Sequence, residues 1–162
     1  MIGIMSDSHD SMDAIRAAVE LFNKKKVSIV LHAGDIISPF TATAFSKLDA
    51  KMYFIFGNND GDKLLLKQKF EEFGAECCGD FADLEMKGKR IAVLHGVYEP
   101  QVNALAESGD FDIVVRGHTH HAGVTEVNET LVINPGETCG VLSGKRTVAI
   151  LDPELGVQII EI

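Results

Sequence analysis

Short apolar runs alternate with amphipathic stretches through the first half of the chain. Residues 2–5 form one such run, and the apolar residues that follow recur at helical spacing: Ile15, Ala18, Val19 and Phe22. Ser11 is available to cap this helix, and the lysines at 24–26 stand at its end, where the helix dipole favours cations. The alternation predicts βαβ units and a mostly parallel sheet.

Further strands and helices continue this alternation, and we predict strands over 28–31 and 53–56 and helices over 39–48 and 63–73. Pro39 fits the first turn of its helix, and Gly74 is a plausible C-terminal stop for the last one. The apolar side of that last helix is predicted from four residues: Leu64, Leu65, Phe70 and Phe73.

The pattern changes beyond residue 80, where strand-like segments predominate and one stretch, 101–107, is helical. The predicted strands are 81–86, 90–94, 113–115, 124–127, 131–133, 147–151 and 157–160. The connectors MKGK, VNET and DPELG predict antiparallel hairpins, so we expect a second sheet here rather than further βαβ crossovers. The pattern predicts an α/β fold in which two sheets pack face to face with helices outside.

Length and composition favour one packed domain over 1–162, because 162 residues bury a sufficient core without disulfides or a partner. The longest apolar runs are far shorter than the roughly 18 residues of a membrane span. The N-terminus lacks the basic and long apolar regions of a secretory signal, and we therefore expect a cytoplasmic protein. The cysteines at 77, 78 and 139 are expected to be reduced packing residues.

The formal net charge of -9 argues against a long nucleic-acid ligand, because such polyanions are held mainly by Lys and Arg. A small phosphate compound remains compatible with this charge if a local positive centre attracts it. If the ligand is such a compound, the candidate site must therefore provide a local positive charge.

Polar clusters stand directly after five predicted strands: MSDSH, HAGD, GNND, LHG and GHTH. One cluster alone is more often a turn, but the carboxyl ends of parallel strands converge on one crevice, so the joint set favours a shared site. Asp, Asn and His suit Mn, Fe, Ni, Co or Zn as metals. On extended backbone, alternate residues point the same way, so DxH and HxH each address one metal cluster. Glycines at 34, 57, 96 and 117 allow sharp turns or close approach.

The clusters resemble the calcineurin-like metallophosphoesterases, whose signature runs DxH, GD, GNH or GND, a GH-like histidine and GHxH. All five blocks stand in this order between Asp7 and His120, and INPGE at 133–137 also looks like the family. The small size is similar to the YfcE-type phosphodiesterases of bacteria and archaea. The resemblance implies a four-layer αββα sandwich of two mixed sheets flanked by helices.

The resemblance also implies two divalent metal ions (Mn, Ni, Fe, Co or Zn) and a small phosphodiester substrate attacked by a water that the metals activate. The implied ligands form two groups that share one bridging carboxylate: Asp7, His9 and His120 for one ion, Asn58, His95 and His118 for the other, and Asp35 between them.

Asn59 departs from the family pattern, because many members carry a histidine there that protonates the leaving group. An amide still hydrogen-bonds a phosphate oxygen, so we expect Asn59 to act at the site without supplying a proton. The consequence is a preference for leaving groups that need little protonation, or a substitute acid such as Asp60 or a water.

Two other functions remain open from the sequence. The retromer subunit of this fold is a noncatalytic protein-binding scaffold that has lost metal histidines, whereas this chain retains them. A phosphomonoesterase would use the same chemistry on a different ester.

Small members of the family often associate, which makes a homodimer compatible with the sequence. His32 fits either a ligand-orienting or a buried hydrogen-bonded role, His121 is expected in a solvated loop, and Asn134 and Gly136 in a supporting turn.

Overall fold

The structure is a computed structural model, and it describes residues 1–153 and 155–162. The strands are β1 (Ile2–Met5), β2 (Ile29–His32), β3 (Lys51–Phe54), β4 (Glu76–Cys77), β5 (Phe81–Met86), β6 (Lys89–Leu94), β7 (Ile113–Val115), β8 (Gly123–Val127), β9 (Thr130–Asn134), β10 (Thr147–Asp152) and β11 (Gly156–Glu161). The helices are α1 (Met12–Lys25), α2 (Ala42–Phe45), α3 (Lys63–Glu71) and α4 (Glu99–Glu107). A 3-10 turn over Pro39–Thr41 precedes α2.

Two mixed sheets form from these strands. The six-stranded sheet has the order β11-β10-β1-β2-β3-β4, and the five-stranded sheet has the order β5-β6-β7-β9-β8. β1, β2 and β3 run parallel as neighbours in the first sheet, while β6, β7 and β9 run parallel in the second. The loops that follow β1, β2, β3, β6 and β7 are the ones that carry the polar clusters.

The layers are held by three apolar clusters. Ile4 and Leu31 of the first sheet meet Val93 and Val115 of the second between the sheets. The helices α1 and α3 cover the other face of the first sheet, where Phe22 and similar buried side chains each contribute about 1.5–3 kcal/mol. α4 covers the second sheet. The four-layer αββα architecture implied by the resemblance is confirmed.

The second half of the chain is arranged differently from the prediction in two respects. β10 and β11 return to the first sheet, where β10 pairs antiparallel with β1. β6, α4 and β7 form a βαβ crossover, since β6 and β7 are parallel. The hairpins at MKGK and VNET are present, with Met86 opposite Lys89 and Val127 opposite Thr130. DPELG connects β10 and β11, but its Glu154 lies outside the described residues.

Several helix predictions need correction. The predicted helix over 39–48 is a 3-10 turn followed by the short α2, which ends at Phe45. Leu64 and Leu65 lie on the exposed side of α3, because Leu66 and Phe70, one turn apart, are the residues that reach the core. Ser11 stands before α1 but its side chain makes no capping hydrogen bond.

The remaining differences lie at the edge of the first sheet. The third strand ends at Phe54 rather than Phe56, and β4 adds a two-residue strand that the sequence pattern did not indicate. α3 ends at Glu71 rather than at the predicted Phe73, and Gly74, with a φ of +90°, lies in the turn that follows, where Ala75 N donates to Phe70 O at 3.1 Å. No helix among the described residues is both long and apolar enough to span a membrane.

Candidate metal centre

The loops after β1 and β2 are joined backbone to backbone at the edge of the first sheet. Asp7 N donates to Gly34 O at 3.0 Å, and His9 N donates to Asp35 O at 3.1 Å. Residues with positive φ cluster in these two loops and in the loop after β7, namely Asp7, His9, Asp10, Asp35, Ile37, His118 and His120. The extended-backbone argument for DxH and HxH is therefore wrong, because both motifs turn through left-handed conformations. Such conformations concentrate where the surrounding structure dictates the geometry.

Asp7 is fully buried, and one of its two carboxylate oxygens is already satisfied by its neighbours. Ser6 Oγ donates to Oδ2 at 2.6 Å, and His118 N donates to the same oxygen at 3.1 Å. Oδ1 has no hydrogen-bond partner and faces the imidazoles of His9, His95 and His120. The carboxylate is thus oriented with a free oxygen toward a group of histidines.

Asp35 is the second buried carboxylate of the centre, and Asn59 fixes its orientation. Asn59 N donates to Oδ1 at 2.8 Å, and Asn59 Nδ2 donates to Oδ2 at 2.7 Å. His95 Nε2 lies 3.2 Å and His9 Nε2 lies 3.6 Å from Oδ2. Asp35 therefore lies between histidines contributed by two different sheets.

Asp60 serves the loop rather than the reaction. Its carboxylate accepts hydrogen bonds from four backbone amides: those of Asp35, Ile36, Ile37 and Gly57, at 3.1, 2.8, 2.7 and 2.6 Å. These bonds occupy both of its oxygens and hold the β2 loop against the β3 loop. The suggestion of Asp60 as a substitute acid does not fit this geometry.

Five of the seven predicted ligands meet in one place. His120 Nε2 is 3.4 Å from Asp7 Oδ1, His9 Nε2 is 3.7 Å from it, and His95 Nε2 is 3.9 Å from it. The rings of His9 and His120 stack with centroids 5.4 Å apart. Three donor groups each have ligand atoms within 4.8 Å of one another, and two of them share Asp7: Asp7, His9 and His120; Asp7, Asp35 and His95; and His120, Glu137 and Cys139.

Unpartnered buried atoms at this place fit a cation. Among the described residues, four buried side-chain N and O atoms lack a hydrogen-bond partner, and three of them belong here: Asp7 Oδ1, His9 Nε2 and His95 Nε2. Leaving such atoms unpaired costs roughly 1–3 kcal/mol each. Carboxylate oxygen and imidazole nitrogen are ligands that borderline divalent metals prefer. The donor set therefore fits the divalent metal chemistry.

The charges of the centre support the same interpretation. Burial raises the pKa of Asp35, but the imidazole of His95 and the hydrogen bonds from Asn59 outweigh burial and hold that pKa well below its usual range. Burial also raises the pKa of Asp7, and His9 and Ser6 lower it to a net depressed value. Both carboxyls are therefore ionised at neutral pH. Asp7 in turn raises the pKa of His9, and Asp35 raises that of His95 against the effect of burial.

The other two predicted ligands lie beside the centre rather than in it. The His118 ring contacts the His95 ring edge-on, with centroids 5.2 Å apart, and burial together with His95 lowers the pKa of His118. Asn58 is exposed, and within the described residues no hydrogen bond joins its side chain to another group. It lines a cavity of about 220 Å³ together with His95, Gly96, Tyr98 and Gln101. Asn58 thus lines the cavity beside His95, and His118 packs against the His95 ring.

Two glycines are required by the close approach of the loops. A Cβ on Gly57 would collide with Asp35 Oδ1 and would lie 2.6 Å from Asp35 N. A Cβ on Gly34, where φ is +93°, would lie 2.7 Å from Gly57 N. Real Cβ atoms do not approach backbone so closely, so the two loops touch only because both positions are glycine.

Two residues of the centre escaped the sequence reasoning. Glu137 is fully buried, and its Oε2 accepts from His120 Nδ1 at 2.7 Å. Arg116 is buried and ties two loops together, because its Nη2 donates to Gly96 O at 2.9 Å and its Nε to Gly117 O at 3.4 Å. Glu137 lies in INPGE and Arg116 lies in RGHTH, and this was the only indication of them in the sequence. Neither motif shows which residue the side chain contacts.

Of the two roles that the sequence left open for His32, the structure shows a buried, hydrogen-bonded histidine. Its Nδ1 accepts from Gly34 N at 3.2 Å, so the proton is on Nε2, which donates to Ser8 Oγ at 3.0 Å. Burial lowers the pKa of His32 to about 3. The ring is therefore neutral and braces the loops that carry the two carboxylates.

The flanking residues follow the sequence expectations. His121 is exposed, and its Nδ1 contacts Thr119 O at 2.6 Å. Asn134 Nδ2 donates to Thr119 Oγ1 at 2.8 Å, and Asn134 Oδ1 accepts from Gly136 N at 2.9 Å. The NPG turn thus supports the GHTH loop. The three cysteines are free thiols, and burial raises the pKa of Cys139 to about 11.

Comparison with known proteins relates this geometry to a family. Residues 1–156 match the calcineurin-like phosphoesterase superfamily domain. A phosphodiesterase from Methanocaldococcus jannaschii is 41% identical over 154 residues, which are 94% of this chain and 93% of that relative. The structure of a novel archaeal phosphodiesterase superposes with a TM-score of 0.95 at 39% identity, covering 99% of both chains.

A more distant structure shows the fold alone. YfcE, a phosphoesterase from E. coli, has a TM-score of 0.73 at 17% identity, covering 99% of this chain and 98% of that one. The fold, the ordered strand-end clusters and the domain match over most of the chain agree with one another. The chain belongs to the calcineurin-like phosphoesterase superfamily.

Proposed function

We propose that this protein is a metal-dependent phosphodiesterase that binds two divalent cations and hydrolyses small phosphodiesters. The observation that carries the proposal is the convergence of Asp7 Oδ1, His9 Nε2 and His95 Nε2, three buried atoms without hydrogen-bond partners. The similarity along nearly the full chain to the M. jannaschii phosphodiesterase, and to the archaeal phosphodiesterase structure, supports the type of ester.

The two donor groups that meet at Asp7 support a pair of ions rather than one. We assign one ion to Asp7, His9 and His120, and the second to His95, with Asp35 between the two positions. Asn58 and His118 complete the second group in this proposal, since both border the centre beside His95. Their side chains would have to turn inward when the ion binds.

Divalent ions held by these residues would supply Lewis acidity and would lower the pKa of a bound water. The protein's own groups keep that chemistry in place. Ser6 and the His118 amide hold Asp7 Oδ2, so that Oδ1 points inward, and Asn59 holds both oxygens of Asp35. Each carboxylate is thus oriented before any ligand binds, which lowers the reorganisation cost of binding.

The same centre explains how an acidic chain attracts an anionic substrate. The formal net charge is -9, so the general surface repels phosphate esters. Divalent ions are the largest local charges in such a site and reverse the sign of the field near them. Substrate attraction should therefore depend on metal loading.

The open side of the centre favours a small ester. The cavity beside His95 has a volume of about 220 Å³, which is below the 300–1,000 Å³ typical of sites for drug-sized ligands. The whole chain of 162 residues offers little extra surface for docking a protein substrate. We propose that residues 1–162 act as one unit on diesters of low molecular mass.

The test combines elemental analysis of protein purified without chelators with a phosphoester panel run in Mn²⁺, Ni²⁺, Co²⁺, Zn²⁺ and Mg²⁺. Bis(p-nitrophenyl) phosphate should be hydrolysed faster than p-nitrophenyl phosphate, and EDTA should abolish both activities. Faster monoester hydrolysis would indicate a phosphomonoesterase. Absence of both metal and turnover would indicate a noncatalytic scaffold and would refute the proposal.

A further inference from the structure

Glu137 is a buried acidic residue to which the reaction proposed above assigns no role. Its side chain is fully shielded from solvent, yet it receives several hydrogen bonds. Oε2 accepts from His120 Nδ1 at 2.7 Å, from Leu142 N at 3.1 Å and from Cys139 Sγ at 3.2 Å. Ser143 N donates to Oε1. A carboxylate with this many donors is held in one orientation.

This contact determines which nitrogen of His120 carries the proton. An ionised carboxylate only accepts hydrogen bonds, so Nδ1 must be the protonated nitrogen. Nε2 then keeps its lone pair and lies 3.4 Å from Asp7 Oδ1, on the side of the other donors. That tautomer is the one that a ligating histidine needs.

The three histidines of the centre and the neighbouring His118 differ in the partners of their ring nitrogens. His95 Nδ1 contacts a backbone carbonyl, Ala33 O, at 2.7 Å. Among the described residues, no hydrogen bond is made by the ring nitrogens of His9 or His118. His120 alone of the four has a carboxylate behind its ring, and a charged acceptor raises ligand basicity more than a carbonyl does.

The backbone around Glu137 is tied to the strand end that carries Asp7. Thr138 N donates to Ser6 O at 2.9 Å, and Cys139 N donates to Asp7 O at 3.1 Å. Thr147 N donates to Glu137 O at 3.0 Å from β10. Glu137 therefore stands on a rigid support, and the bonds from Leu142 and Ser143 hold the 139–146 loop against it.

We propose that Glu137 is a positioning residue that fixes the tautomer and aim of His120 and thereby sets the affinity of the Asp7–His9–His120 position for its divalent cation. The inference rests on the proposed function, because it presupposes that these donors bind a metal. It extends that function by making one of the two ion positions depend on a buried carboxylate outside the signature motifs.

The experiment compares wild type with Glu137→Gln by calorimetric titration of the metal-free proteins with Mn²⁺. Loss of a partner behind a ligating histidine typically costs 10–100-fold in metal affinity, and we expect a loss of about that size at one of the two positions only. Ile150→Val, a core change in β10 away from His120, should lower stability while leaving both affinities unchanged.

A second measurement needs no metal, and its main readout comes from the wild type. Nitrogen-15 NMR of the wild-type imidazoles should show His120 as the Nδ1–H tautomer, and the Nδ1–H signal should shift or vanish in Glu137→Gln. A His120 protonated on Nε2 would overturn the inference even if the variant failed to fold. Equal Mn²⁺ affinity in wild type and folded Glu137→Gln would also overturn it, while leaving the proposed function standing. Absence of Mn²⁺ binding by the wild type would overturn both.

Discussion

The amide at position 59 stands where a proton-donating histidine is common in the superfamily. Asn59 Nδ2 donates to Asp35 Oδ2 at 2.7 Å, so in this structure the amide orients a carboxylate. An amide does not release a proton near neutral pH, and Asp60 is occupied by four backbone amides. Cleavage should therefore depend strongly on the leaving group's own stability as an anion.

Asn59→His should restore an acid at this place. We expect hydrolysis of a diester with an alkyl leaving group to rise by on the order of 10²-fold, while bis(p-nitrophenyl) phosphate changes little, because nitrophenolate needs no proton. The measurement is kcat/KM on the two substrates. Asn59→Gln, which keeps an amide, is the matched control and should show no gain. An unchanged alkyl rate in Asn59→His would show that proton donation does not limit this enzyme.

His32 should make the metal-free protein sensitive to mild acid. Its pKa is lowered to about 3 in the folded chain by burial, against about 6.5 in the unfolded chain. The unfolded chain therefore takes up the proton first, and stability falls as the pH drops from about 6.5 toward 3. Between pH 8 and pH 5 this group should remove about 2 kcal/mol from the free energy of unfolding.

The measurement for His32 is denaturant unfolding of chelator-treated protein at pH 8 and pH 5. His32→Gln keeps hydrogen-bonding capacity but has no group that titrates in this range. The wild type should lose about 2 kcal/mol more than the variant over this interval, although the other histidines contribute to both. Parallel pH dependences in the two proteins would show that His32 is not buried neutral.

The strand-end loops carry the geometry of the centre. The loop after β3 packs on the loop after β2 so closely that Gly57 touches the Asp35 carboxylate. Asp60 then binds the amides on both sides of this contact. The position of Asp35 is thus set by the close approach of Gly57 and by the hydrogen bonds of Asp60.

Gly57→Ala should displace Asp35 and weaken metal binding. Overpacking of this kind typically costs about 1–3 kcal/mol, and here the added methyl group meets backbone and a buried carboxylate. Gly61→Ala in the same loop is the matched control, since its Cβ would meet nothing within 4 Å. Unfolding curves and Mn²⁺ titrations of both variants check the expectation. Tight metal binding by Gly57→Ala would contradict it.

The sequence pattern predicted those helices and strands in which the spacing of apolar residues matches the residues that are buried in the fold. The apolar residues of α1 recur at helical spacing. The residues predicted from this spacing are all buried: Ile15, Ala18, Val19 and Phe22. α3 contains four apolar residues, and the sequence alone does not show which of them face the core. Packing against the first sheet buries Leu66 and Phe70. β4 has only two residues, which is too few to show the alternation of apolar and polar residues that predicts a strand.

The centre was predictable to the extent that its residues lie in the strand-end motifs. Asp7, His9, Asp35, His95 and His120 come together because parallel strands end at a common edge. The partners of these groups could not be predicted in the same way. Glu137 reaches His120, and Arg116 joins Gly96 to Gly117, only through the packing of the folded chain.

The folded protein concentrates buried charge at one edge of its two sheets. Asp7 and Asp35 stay ionised there because neighbouring imidazoles and hydrogen bonds outweigh burial and lower their pKa, and a divalent cation would add a further opposite charge beside them. Metal binding should therefore stabilise the fold as a unit. At a free Mn²⁺ concentration about 100 times the Kd, mass action should add about 2.7 kcal/mol per site to the free energy of unfolding.

Thermal unfolding with and without Mn²⁺ checks this linkage, and EDTA should reverse the stabilisation. Asp35→Asn removes the charge at the shared position, so it should gain much less from Mn²⁺ than the wild type. A melting temperature that does not respond to Mn²⁺ would mean that the folded protein does not bind the ion in preference to the unfolded chain, which would contradict the account.

The most direct test of the central claim is anomalous X-ray diffraction from crystals loaded with Mn²⁺. We expect two peaks per chain about 3.5–4 Å apart, enclosed by Asp7, His9, Asp35, His95 and His120. Asn58 and His118 should have turned toward the peak beside His95. A single peak, or peaks away from these side chains, would contradict the account.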